Sequence, residues 1–115
     1  MLTLTHRIED NVCLVSLAGK LILGEERGFT EYLNRLLDSC QYKGIVLNFK
    51  GLQVIDSAGL GSIIWFMKKI KNQQKGFSLC QLSDQVSNTF KLTQLDQMLP
   101  IHDTEADALS SFATG

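Results

Sequence analysis

The sequence predicts an α/β fold: a mainly parallel sheet that begins with an antiparallel hairpin. Three observations predict it. Apolar runs of strand length alternate with stretches whose apolar residues recur at helical spacing, in the order β-β-α-β-α-β-α-β-α. The central run, Gly44-Ile45-Val46-Leu47-Asn48-Phe49, shows little alternation, as expected of a strand covered on both faces. The first two runs are separated only by a short polar turn, the mark of a hairpin.

Each element has its own reason. Residues 2–8 alternate and read as a strand. Glu9-Asp10-Asn11 supplies a three-residue turn, and Val12 to Leu17 forms the second strand. Ala18-Gly19-Lys20 is expected to bend the chain, with Leu21-Ile22-Leu23 continuing the sheet up to Gly24. Over 25–39, Phe29, Leu33, Leu36 and Leu37 fall on one helical face. After the central strand a helix spans 57–72 and breaks at Gln73-Gln74-Lys75-Gly76. Residues 77–82 form a strand, and 84–92 a short helix with Val86 and Phe90 inward. The only proline, Pro100, precedes a short strand at Ile101-His102. Thr104 then caps a last helix to Phe112, with Asp107 placed as a capping-box acid. There is no internal repeat, low-complexity tract or linker.

Composition narrows the function classes. The 115 residues carry eleven basic and twelve acidic side chains, a net charge of −1. That balance provides no basic field for nucleic acid. The one basic cluster, Lys68-Lys69-Ile70-Lys71 with Lys75, suits the negative end of a helix dipole. The longest unbroken apolar run, Ile63 to Met67, is far too short to cross a bilayer, and no signal peptide is expected at the N-terminus. The three cysteines, Cys13, Cys40 and Cys80, are widely spaced and form no C-x-x-C. They read as small core residues in a reducing cytoplasm, so no metal site or disulfide framework is expected.

Chemical interest concentrates at Ile55-Asp56-Ser57-Ala58-Gly59-Leu60-Gly61. Ser57 falls where a strand gives way to a helix, and helix starts favour anions. A phosphate there would add roughly −1.5 to −2 charges. Enzyme readings fit poorly. A nucleophile elbow needs glycine where Ile55 stands, and His6 and His102 have no acid at telling spacing. Gly59-x-Gly61 lacks the third glycine of a dinucleotide fingerprint, and no Walker lysine follows. Adjacent Glu25 and Glu26 suit a first helical turn rather than paired catalysis. No catalytic residue, cofactor or metal is expected.

At 100° per residue, Leu60, Ile63, Ile64, Met67 and Ile70 gather on the face that packs on the sheet. Ala58, Gly61, Ser62, Trp65 and Lys69 gather opposite. Small residues beside an aromatic anchor suit a docking surface. The alternative, Trp65 covered by a neighbouring element, stays open at this level, because periodicity does not locate neighbours.

The block Asp56-Ser57-Ala58-Gly59-Leu60-Gly61, after Ile45-Val46-Leu47-Asn48-Phe49, resembles the phosphoacceptor region of STAS domains. These are the anti-sigma factor antagonists, or anti-anti-sigma factors, of bacteria. The likeness extends to Leu17-Ala18-Gly19-Lys20-Leu21 and the closing Glu105-Ala106-Asp107-Ala108-Leu109, nearly the whole chain. It implies a single STAS domain over 1–115, with a four- to five-stranded mixed sheet and helices packed mainly on one side. It also implies a cytoplasmic partner switch. The unphosphorylated domain binds an anti-sigma factor with serine kinase activity and so frees a sigma factor. Phosphorylation of the matching serine, Ser57, separates the pair, and a phosphoserine phosphatase resets it. The expected partner-binding set is Leu23, Gly24, Asp56, Ser57, Ala58, Gly61, Ser62 and Trp65; were Trp65 a core residue, the docking face would move to the loops around Leu23-Gly24 and Leu52-Gln53, expected at the same end of the sheet. Two positions depart from the family pattern. Ile22 and Asn48 stand where acids are frequent, and both changes are expected to remove negative charge near Ser57. The competing reading is a constitutive scaffold or transporter-associated subunit in which Ser57 is only the helix N-cap. Oligomeric state is not legible.

Overall fold

The computed structural model describes residues 1–39 and 42–113, so the expectation for Cys40 lies outside the described residues. Five strands form one mixed sheet in the order β1-β2-β3-β4-β5: β1 Leu2–Glu9, β2 Val12–Leu21, β3 Gly44–Ile55, β4 Gly76–Cys80 and β5 Ile101–His102. The hairpin β1–β2 is antiparallel and every later pairing is parallel, which bears out the mixed α/β reading. Among the described residues, α1 Glu26–Ser39, α2 Ser57–Asn72 and α3 Asp84–Leu92 connect the strands after β2, and α4 Glu105–Ala113 follows β5. A 3-10 turn at Leu95–Gln97, not foreseen, links α3 to β5.

Three boundaries differ from the sequence reading. The hairpin loop has two residues, because Glu9 pairs with Val12 and both Asp10 and Asn11 take positive φ. Positive φ at both positions is the type I′ pattern, whose twist matches the strands. Ala18-Gly19-Lys20 does not bend the chain away, since β2 runs on to Leu21. The sheet does not continue through Leu23. The central strand runs to Ile55 instead of stopping at Phe49, with register shifts opposite Ser16/Ala18 and Gly19/Lys20. Leu52 and Gln53 therefore lie within β3, not in a loop.

The main core lies between the sheet and α1, α2 and α3. Phe29 and Leu33 of α1, Leu47 and Phe49 of β3, Ile63 and Phe66 of α2 and Phe90 of α3 are all fully buried there. Edge-to-face ring pairs tie the layers, Phe49 with Phe90 at 6.1 Å and Phe66 with Phe77 at 5.5 Å. Among the described residues only α4 crosses the other face. Its Ala108 packs with Val12, Leu14, Val46 and Cys80, and Leu109 and Phe112 border them. Cys13 and Cys80 are buried and in no disulfide, and burial pushes the Cys80 thiol up to about 11.

The ends of α3 and α4 follow their sequence signals. Ser83 Oγ accepts from Val86 N, and Thr104 Oγ1 accepts from Asp107 N at 3.1 Å. A polar knot anchors α4 to the sheet. Asn48 Nδ2 donates to Glu105 Oε2 at 2.6 Å, and Arg7 Nη2 donates to Glu105 Oε1 at 2.7 Å. These bonds, the Arg7 bond foremost, hold the Glu105 carboxyl below its ordinary value. Because the folded-state pKa is depressed, this contribution is complete above the ordinary value of 4.5 and fades as pH falls through the folded value. Glu105→Ala should cost about 1 kcal/mol at neutral pH by removing the Arg7 ion pair and one of two acceptors of the buried Asn48 amide, which keeps Gln81 Oε1 at 2.9 Å. Urea unfolding checks this. The gap to wild type should narrow in acid, and a gap independent of pH counts against the knot.

Candidate partner-binding site

Strands β2 and β3 end side by side, with Leu21 paired to Ile55. This delivers the turn at 22–24 and residue 56 to the same end of the sheet. Leu21 O accepts from Asp56 N at 3.3 Å, which carries the strand pairing one residue further. Asp56 itself is extended, at φ −111 and ψ −172, and caps α2. Its Oδ1 accepts from Gly59 N and its Oδ2 from Leu23 N, each at 3.0 Å. One carboxylate therefore clamps the helix start to the turn after β2. The Gly59 N–H, then the Leu23 N–H, hold that carboxyl below the usual carboxylate range.

Close approach underlies the clamp. A Cβ on Gly59 would stand 2.3 Å from Leu21 O and 2.8 Å from Ile55 Cγ1, so only glycine lets α2 sit this near β2. In the turn, Glu25 N donates to Ile22 O at 2.8 Å. Gly24, at φ +98, donates its N–H to Glu26 Oε2 at 2.6 Å. The positive φ explains glycine there.

The expected site residues divide into two groups. Ser57 is the first residue of α2 and exposed, and Asp56 and Ala58 are half-buried beside it. Gly61 is exposed, with nothing within 4 Å of a Cβ placed on it. Trp65 is 49% exposed, so no neighbouring element covers it fully. Lys69 Nζ lies 5.3 Å from its ring centroid and donates to Asn34 Oδ1 of α1 at 2.7 Å. Leu23 is 77% exposed, and Gly24 is exposed next to it. Ser62 does not join them. It is buried, and its Oγ donates to Gly59 O at 2.6 Å. The inward face of α2 also differs: Phe66 is fully buried, whereas Ile64 is only half-buried.

The first four exposed residues of α2 are Ser57, Gly61, Trp65 and Lys68, ahead of Lys71 and Asn72 at its end. Their steps of four, four and three residues place them in one stripe along the helix. Lys68 was missed because its neighbours suggested only a cationic helix end. The spacing from Ser57 was the signal that could have found it. The clamp by Asp56 was also missed. An aspartate just before the first helical residue is a readable cap, but its bond to Leu23 is not.

Two other expectations are corrected. Asn48 does not border Ser57. It lies seven residues before Ile55 on β3, roughly 20 Å away along a strand, and it binds Glu105 of α4. Asp56, not Ser57, caps the helix.

His6 and His102 lie on β1 and β5, the two edges of the sheet, and His6 Nδ1 is bonded to the Tyr32 hydroxyl. Among the described residues no group of three or more His, Cys, Asp or Glu could hold a metal. Among those residues, too, no helix is long and apolar enough to cross a membrane.

Comparison with known proteins adds four findings. The family model described as STAS domain matches residues 3–108. The anti-sigma F factor antagonist of Paenibacillus polymyxa is 29% identical over 99 residues, covering 86% of this chain and 85% of the relative. Among solved structures, a Thermotoga maritima protein superposes with TM-score 0.89 at 25% identity, covering 96% of this chain and 94% of that one. An anti-sigma factor antagonist from Mycobacterium paratuberculosis shares the fold at TM-score 0.89 and 19% identity, over 98% and 95% of the two chains.

Proposed function

We propose that this chain, which belongs to the STAS domain family, is an anti-sigma factor antagonist switched by phosphorylation of Ser57. Unmodified, it binds an anti-sigma factor through the Ser57–Gly61–Trp65 stripe and the neighbouring Leu23 turn, and a sigma factor is released. The anti-sigma factor, acting as a serine kinase, phosphorylates Ser57 and dissociates. A phosphoserine phosphatase restores the binding form. The chain works in the cytoplasm as a binding protein, not as an enzyme.

One observation carries the reading: Ser57 is exposed at the head of α2 while Asp56 does the capping. Serine is favoured at a helix start for its capping bond, and here that task belongs to its neighbour. The capping role that the constitutive reading gives Ser57 is filled by Asp56.

The clamp also gives the phosphate a mechanism. A phosphoserine would place about −1.5 to −2 charges next to the Asp56 carboxylate. That carboxylate already accepts the Gly59 N–H, so part of the anion-stabilising helix end is taken. Like-charge repulsion then acts on the bond between Asp56 and Leu23 as well as on the partner. Intact-mass measurement after incubation with the partner kinase and Mg-ATP tests the assignment. Wild type should gain one phosphate and Ser57→Ala none. Equal incorporation in the two sinks it.

The stripe can be tested separately. Trp65→Ala should weaken partner binding by about 2 kcal/mol or more if this ring is a hot spot. Its melting temperature should change little, because the ring is half exposed. Calorimetric binding and thermal melting decide the matter. A large loss of stability with unchanged affinity would return Trp65 to the role of a packing residue between α2 and α1.

A further inference from the structure

We propose that the chain forms a two-fold homodimer in which the edge strand β1 pairs antiparallel with β1 of a second copy. β1 stands at one end of the sheet, with β2 as its neighbour there. Its eight residues contain no proline, and its register against β2 runs from Leu2 to Glu9 without a shift. Prolines and bulges are devices that blunt an edge, whose outward N–H and C=O groups otherwise invite another strand. The hairpin fixes which groups point outward. Glu9 and Val12 close a two-residue loop, so they form a hydrogen-bonded pair, and every second pair along the ladder does likewise. The bond from Lys20 N to Met1 O at 3.1 Å has the same parity. Leu2, Leu4, His6 and Ile8 therefore turn their backbone groups away from β2.

A knob and a groove on one face of β1 select the register. Ile8 is 54% exposed, an apolar side chain that its own chain leaves half uncovered. It shares its face with Leu2, Leu4 and His6. At the other end of the strand a groove of about 260 Å³ runs between β1 and α1, lined by half-buried Leu2, Leu4 and Tyr32 and by exposed Gly28. A Cβ on Gly28 would meet nothing within 4 Å, so the groove is open on that side. Antiparallel pairing about a two-fold axis at Thr5 sets Ile8 of each copy opposite Leu2 of the other, at the mouth of that groove. Leu4 then lies opposite His6. These are the outward-facing residues, so the register forms about eight backbone bonds across the axis.

Charge agrees with this register. On the opposite face Arg7 lies across from Thr3 of the second copy and diagonal to its Thr5, so no like charges meet. Arg7 is paired with Glu105 and Glu9 of its own chain. Moving the axis to His6 would set His6 against His6 and bring the two Arg7 side chains into diagonal contact, which is unfavourable. The other edge of the sheet, β5, has only two residues, so growth stops at a closed dimer. Helix α2 packs on β3 and β4, away from β1, so the Ser57 stripe of each copy stays uncovered.

Sedimentation velocity of the full chain tests the proposal. Wild type should dimerise with a Kd in the micromolar range, since a contact along one strand is small. Thr5→Lys sets lysine against lysine at the axis, and Ile8→Ser removes the knob. Each should weaken the dimer at least about tenfold with little change in melting temperature, because both side chains are exposed. Ser57→Ala should dimerise as wild type does, whatever the fate of the phosphorylation reading. Cysteine cross-linking reads the register. Thr5 turns its backbone groups toward β2, so across the axis it forms a non-hydrogen-bonded pair with Cα atoms about 4.5 Å apart, within disulfide reach. Thr5→Cys should give a covalent dimer joined through position 5 under mild oxidation, and Thr3→Cys should not. The proposal is overturned by wild type that stays monomeric at about 1 mM. It is overturned equally by Thr5→Lys and Ile8→Ser dimerising unchanged, or by Thr3→Cys cross-linking as readily as Thr5→Cys.

Discussion

Ser57→Asp should bind the anti-sigma factor roughly a hundredfold more weakly than Ser57→Ala. The expectation rests on the exposed position of Ser57 at the head of the proposed binding stripe. A surface that accepts a neutral serine must desolvate a carboxylate in the variant, without a matching cation. An uncompensated buried charge costs about 3 kcal/mol or more, which is the hundredfold change. Ser57 also adjoins the Asp56 carboxylate, itself fixed by Gly59 N and Leu23 N. A second carboxylate there repels the first and strains the clamp. Ser57→Ala introduces neither penalty and should bind like the unmodified protein. Isothermal calorimetry on both variants decides, and matching affinities would remove charge from the switching mechanism.

Gly59→Val and Gly61→Ala, two positions apart, should move stability in opposite directions. A Cβ at Gly59 meets Leu21 O at 2.3 Å, and that atom is backbone, already accepting from Asp56 N. Relief requires α2 to retreat from β2, which breaks the cap and the pairing beyond Ile55. The cost should be about 2–4 kcal/mol, at the upper end for overpacked sites. At Gly61 the added methyl meets nothing within 4 Å, and glycine inside a helix is worse than alanine by about 0.8–1 kcal/mol. Gly61→Ala should therefore raise the melting temperature by a few degrees. Thermal melts of the two variants give the comparison. A stable Gly59→Val would show that the approach of α2 to β2 is adjustable. A bulky residue at Gly61 should keep the fold and block the partner.

Much of this molecule is determined by sequence pattern alone. The period of Phe29, Leu33, Leu36 and Leu37 specifies the buried face of α1, because helix side chains repeat every 3.6 residues and burial selects one stripe. The unbroken apolar run at 45–47 specifies a strand covered on both faces, as its burial shows. The D-S-A-G-L-G block resembles the family whose model matches residues 3–108. These signals are local, and local signals survive in a single sequence.

Tertiary structure decided the rest, and each case involves residues far apart in the chain. Residues 50–55 mix polar and apolar side chains and look like a loop. They become strand because Ala18 to Leu21 pair with them, over register shifts that no alternation pattern reveals. Ser62 turns inward because α2 lies so close to β2 at Gly59 that its start is buried more widely than an even helical wheel implies. Asn48 serves Glu105, 57 residues later, instead of the surroundings of Ser57. The carboxylate of Asp56 reaches Leu23, 33 residues earlier, because parallel pairing brings the ends of β2 and β3 together. Sequence period sets which face of an element is buried; which distant backbone group a polar side chain meets is set by register, and register is a property of the assembled sheet.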